Sequence, residues 1–162
     1  MTKRQVFYSF HYDGDVRRVQ QIRNIGALDG NQPASPNTWE TIKRSGDYAI
    51  KKWIDDNMHN KSCVIVLIGE QTASRRWVKY EIEKAWNEGK AVLGIYIHNI
   101  KDPLYGTCRQ GMNPFTSFNI GRISLSEIVP CKNPNPYDAY NDIRYNIDKW
   151  IEEAIAIRAR YK

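Results

Sequence analysis

Apolar positions along the chain fall into two periodicities. Cys63-Val64-Ile65-Val66-Leu67-Ile68 and Ala91-Val92-Leu93-Gly94-Ile95-Tyr96-Ile97 are apolar at almost every position, the pattern of parallel strands covered on both faces. Val6-Phe7-Tyr8-Ser9-Phe10 is a third, β-rich run at the start of the chain. Between these runs the apolar residues recur at helical spacing. Val16, Val19 and Ile22 predict a helix over 15–25. Ala49, Ile50, Trp53 and Ile54 form the inner face of one over 39–58, whose first half Gly46 weakens, so that it starts nearer Asp47. Val78, Ile82, Ala85 and Trp86 mark a third over 75–88, closed by Gly89. Tyr140, Ile143, Ile147, Ile151 and Ala154 mark the last, over 137–160. Residues 26–46, broken by Gly26, Gly30, Pro33 and Pro36, read as a long loop that carries Trp39. Residues 98–136 are loop-rich, with one short strand at about 122–125.

Strands alternating with helices predict an α/β fold: a flavodoxin-like three-layer sandwich on a short parallel sheet of three clear strands, four or five in all. No repeat or linker divides the chain, so residues 1–162 are read as a single domain. With 41% hydrophobic and 26% charged residues the composition is that of an ordinary globular protein. No apolar run approaches the roughly 20 residues that span a bilayer. Met1-Thr2-Lys3-Arg4 runs straight into a strand without a secretory core, so a cytoplasmic protein away from the membrane is expected. The net charge of +6 raises nucleic acid as a partner, but the basic residues are scattered among acids, as in Lys51-Lys52 before Asp55-Asp56, which argues against it. Cys63, Cys108 and Cys131 form no Cys-x-x-Cys pair and His11, His59 and His98 lack ligand spacing, so neither a disulfide framework nor a metal is expected.

Candidate chemistry concentrates after the central strand, in Arg75-Arg76-Trp77-Val78-Lys79-Tyr80-Glu81-Ile82. Open α/β sheets bind ligands at the carboxyl ends of their strands. At about 100° per residue, Glu81 lies roughly 60–100° from the centre of its helix's apolar stripe. That makes it a boundary carboxylate able to face a cleft, or else a surface charge paired with Lys84 or Arg76. Arg75 and Arg76 could grip a pyrophosphate, and Trp39 and Trp77 could stack on a base or nicotinamide ring. His11 could be a general base, and Ser9 a turn hydroxyl. No Gly-x-Gly-x-x-Gly, no P-loop and no Gly-x-Ser-x-Gly elbow is present, which argues against Rossmann oxidoreductases, P-loop NTPases and serine hydrolases. Asp13 is a poor substitute for the acidic cluster of a phosphoacceptor receiver.

Several blocks together resemble one family. Val6-Phe7-Tyr8-Ser9-Phe10-His11-Tyr12, the Trp39-Glu40 block leading to Ser45-Gly46-Asp47, Val66-Leu67-Ile68-Gly69 with Gln71-Thr72, Arg75-Arg76-Trp77-Val78-Lys79-Tyr80-Glu81-Ile82 and Gly111-Met112-Asn113-Pro114-Phe115 are similar to the TIR-like domain of bacterial Thoeris anti-phage systems. The similarity covers roughly residues 4 to 120. It implies an NAD+ glycohydrolase or ADP-ribosyl cyclase that makes a cyclic ADP-ribose-type second messenger. NAD+ would be a substrate with no cofactor needed, and the nucleotide product would reach a separate effector protein. It places the catalytic glutamate at Glu81 and lines the same cleft with Ser9, Phe10 and His11. TIR domains also associate through their surfaces, so homo-oligomers are expected, and a non-catalytic self-association or adaptor module is the competing expectation.

Overall fold

The computed structural model describes residues 4–26, 29–30 and 36–161, with only the backbone of 29–30 and 36–39. Helices and strands alternate in the order β1 (Gln5–Ser9), α1 (Tyr12–Arg23), β2 (Asp29–Gly30), α2 (Pro36–Arg44), α3 (Asp47–Met58), β3 (Cys63–Ile68), α4 (Arg76–Asn87) and β4 (Ala91–Tyr96). A small antiparallel pair follows, β5 (Asn119–Ile120) and β6 (Ile123–Ser124), then β7 (Cys131–Lys132) and α5 (Ala139–Arg158). Five strands form one parallel sheet in the order β2-β1-β3-β4-β7, with Val6 opposite Cys63 and Cys63 opposite Ala91. This is the flavodoxin-like order, in which the chain leaves β1 toward one edge and returns on its other side at β3. The crevice between the carboxyl ends of β1 and β3 is therefore the topological switch point.

Every residue of β3 is buried, as its unbroken apolar run requires. Val6 and Tyr8 pack with Val19 and Ile22 of α1 and with Ile143, Ile147 and Ile151 of α5 on one face of the sheet. Phe7, Val64 and Val66 pack with Ile50 and Ile54 of α3 and Val78, Ile82 and Ala85 of α4 on the other. Parity along β1 thus sends Ser9 to the side of α3 and α4.

The structure departs from the periodicity in three places. A helix, α2, forms inside the stretch read as loop, opening on Pro36, whose fixed φ suits a first helical position. Gly46 at φ 92° separates it from α3, and that backbone value explains why one continuous helix over 39–58 does not form. In α1, Val16 is only half-buried, whereas Asp15 and Arg18 are buried. Arg18 spans the gap to the 98–106 loop: Nη1 pairs with Asp15 at 3.1 Å, Nε donates to the Ile100 carbonyl at 2.9 Å and Nη2 to the Gly106 carbonyl at 2.8 Å. Gly111 in turn lies so close to the turn after β3 that a Cβ there would stand 2.0 Å from the Gly69 carbonyl oxygen. These contacts clamp the long C-terminal loops onto the strand ends.

Candidate active site

Glu81 is the sixth residue of α4 and sits between Val78 and Ala85 on its buried side. The expectation of a boundary carboxylate is corrected: Glu81 is 7% exposed. It pairs with neither Lys84 nor Arg76. Lys84 bonds Glu88 and Asp55, and Arg76 bonds Asp47 at 2.7 Å. The partner of Glu81 is Ser9, fully buried at the end of β1, whose Oγ donates to Oε1 at 2.7 Å. Burial pushes the Glu81 carboxyl up to about 8, with the Ser9 hydrogen bond pulling the other way. Carboxylates taken out of water resist ionisation for want of solvation.

Glu81 lines a cavity of about 270 Å³ whose other walls come from the β1–α1 corner, α3 and the start of α4. Phe10, His11, Arg75, Arg76 and Trp77 join it there, so the structure brings these expected residues around one opening. Ser9 stands behind Glu81 and reaches the cavity through it. The side chain of Trp39 lies outside the described residues. Tyr8, Tyr12 and Trp53 also line the cavity, and their local pattern alone does not mark them as site residues. Trp53 was legible only as an apolar helix position, and Tyr8 only as a strand residue.

The two arginines differ. Arg76 is engaged, ion-paired with Asp47 and lying 4.5 Å over the Trp77 ring. Arg75 donates to the Gln71 side-chain carbonyl, while its Nε is buried with no hydrogen-bond partner among the described residues. A buried guanidinium nitrogen left unpaired is costly unless a ligand supplies the acceptor. His11 is half-buried, and burial followed by the Arg75 charge holds its imidazole below the ordinary range, favouring the neutral ring. Phe10 and Tyr12 stack beside it with ring centroids 6.2 Å apart.

The site therefore combines one desolvated carboxyl, a neutral imidazole, an unsatisfied cationic donor and a set of aromatic walls. Such a cavity suits a flat ring with a polar or cationic edge. Among the described residues no group of three or more His, Cys, Asp and Glu side chains gathers to hold a metal ion, and no helix is long and apolar enough to cross a membrane.

Comparison with known proteins agrees with this architecture. The family model of the Thoeris protein ThsB, TIR-like domain, matches residues 7–102. Over 120 residues the chain is 41% identical to a Bacillus cereus (strain MSX-D12) protein named "Putative cyclic ADP-D-ribose synthase ThsB1", a match covering 71% of this chain. The chain spans 62% of that relative's length.

Proposed function

The chain belongs to the TIR-like domain family of the Thoeris protein ThsB, and from that premise we propose that it cleaves the nicotinamide–ribose bond of NAD+ and closes the remainder into a cyclic ADP-ribose-type messenger. NAD+ serves as substrate and no further cofactor is called for. The product carries the signal to a separate effector protein in anti-phage defence, in the cytoplasm. The observation that carries this reading is the placement of Glu81, a single buried carboxyl facing an aromatic cavity at the switch point of the sheet. The activity named for the Bacillus cereus relative supports it.

Nicotinamide in NAD+ is already a cationic leaving group and needs no general acid. The demand falls on the oxocarbenium-like charge that grows on the ribose, as in glycoside cleavage. An ionised Glu81 beside the sugar would stabilise that charge in a site with little water, where electrostatic interactions are strong. Burial raises the Glu81 carboxyl, so its charge depends on what lies beside it. With no cation beside it the carboxyl favours its protonated form near neutral pH. An incoming nicotinamide cation would favour the anion, since an opposite charge within about 4–6 Å lowers a carboxyl pKa. The catalytic charge would then appear chiefly when the substrate cation is there to meet it.

Phe10 and Trp77 would hold the ring. The cavity's volume suits a ring and its ribose more than a whole dinucleotide, so the pyrophosphate would cross Arg75, whose Nε has no acceptor among the described residues. Arg76, already neutralised by Asp47, is the weaker candidate.

Mass spectrometry of nucleotides after incubating wild type and Glu81→Gln with NAD+ tests the proposal. The expected result is nicotinamide and an ADP-ribose species from wild type, with at least about a 100-fold loss in the variant. Equal turnover by a folded Glu81→Gln protein would remove Glu81 from the chemistry. No product from wild type, together with concentration-driven self-association, would favour the adaptor alternative.

A further inference from the structure

His11 occupies a position that cleavage of the glycosidic bond does not use. It is the residue that enters α1: its carbonyl accepts from the Asp15 amide at 3.0 Å, which fixes its backbone, while its side chain makes no capping bond. The imidazole lies over the first helical turn, close enough that a Cβ at Gly14 would stand 3.1 Å from its Cδ2. It faces the same cavity as Glu81. The charged groups that act on it are Arg75 from the β3–α4 turn, Asp13 from its own helix and Lys43 from α2. Asp13 and Lys43 are themselves paired at 3.5 Å. A positioned, neutral imidazole, which keeps one nitrogen able to accept a proton, is the ordinary composition of a general base.

We propose that His11 is the catalytic base of ring closure, accepting the proton of a substrate hydroxyl as that oxygen attacks C1′ of the nicotinamide-bearing ribose. This deepens the function proposed above and rests on it. The C1′–N bond to nicotinamide breaks and its electron pair neutralises the pyridinium ring, which leaves as nicotinamide. The hydroxyl oxygen forms the new bond to C1′, and its proton passes to the unprotonated imidazole nitrogen and then to solvent. Attack by a ring nitrogen of the base would need no acceptor, because that nitrogen carries its lone pair and no proton. Attack by water also releases a proton, but a water entering from solvent brings neighbouring waters that can take it, whereas a substrate hydroxyl folded into the cavity depends on the imidazole. His11 therefore separates one product from the others: it favours closure through oxygen over hydrolysis.

The test is product partition. Wild type and His11→Ala are incubated with NAD+, and nicotinamide, linear ADP-ribose and cyclic products are quantified together, with the cyclic linkage assigned by NMR. The expected result is an O-linked cyclic product from wild type and about a 100-fold lower cyclic-to-linear ratio in His11→Ala. Nicotinamide release should fall much less than the cyclic product does. Added imidazole should restore part of the ratio to His11→Ala, which a structural role for His11 would not produce. An unchanged ratio, a cyclic product joined through ring nitrogen, or no rescue by imidazole in a folded variant overturns the assignment. Absence of nicotinamide release from wild type is a different failure, that of NAD+ cleavage itself, and the nicotinamide measurement tells the two apart.

Discussion

A single hydrogen bond joins the two ends of the proposed chemistry. Ser9 and Glu81 are 72 residues apart in sequence and 2.7 Å apart through Oγ and Oε1. Helical spacing placed Glu81 at the edge of its stripe, and the string around it marked it as the candidate. Its burial was not legible, because the closing wall comes from β1 and α3, and no local pattern reports which strand end lies over a helix. Ser9 read as a turn hydroxyl for the same reason. Its bond to Glu81 favours the ionised carboxyl, against the larger effect of burial. Ser9→Ala should therefore raise the Glu81 pKa further. The alkaline-rising limb of NAD+ consumption should move to higher pH, with turnover near pH 7 falling several-fold, about 2- to 10-fold. A pH–rate profile identical to wild type would show that Ser9 only fills space.

Among the elements, the strongly periodic ones were legible and the short ones were not. The Cys63–Ile68 run coincides with β3, and the apolar stripes of α4 and α5 point inward as their spacing predicts. The two residues of β7 gain their strand character from the β4 edge rather than from their own pattern. In α1 the expected stripe misled in a useful way. Asp15 and Arg18 take buried positions because they pair with each other and because Arg18 also satisfies two carbonyls of the 98–106 loop. Burial raises the Asp15 carboxyl while Arg18 opposes the rise. Arg18→Ala would leave that carboxyl unpaired beside Gly69, so urea unfolding should show a loss of about 3–5 kcal/mol. Adding Asp15→Asn should recover part of it, since the two side chains form one network. A loss under about 1 kcal/mol would mean that water replaces the guanidinium at little cost.

At the scale of the molecule, the strand order sets where chemistry can happen, and the residues placed there work against stability. The reversal between β1 and β3 opens one crevice, and the chain fills it with a carboxyl that the fold would hold more easily as a neutral group. A folded-state pKa of about 8, above the ordinary 4.5, means that the folded protein holds a proton the unfolded chain has released between those values. The stability tied to the neutral carboxyl is fully present below the unfolded value and is lost as pH rises through about 8. Glu81→Gln keeps an acceptor for Ser9 and has no charge to bury. It should consequently be more stable than wild type at alkaline pH, by about 1–3 kcal/mol near pH 9, with the difference shrinking toward pH 5. Urea unfolding of both proteins at several pH values measures this directly. A difference that does not vary with pH would show that the carboxyl is solvated in the folded state, and the coupling of its charge to a bound cation would have to be abandoned. A growing difference, with turnover lost in the same variant, would mean that the site keeps Glu81 at the expense of the fold's own stability.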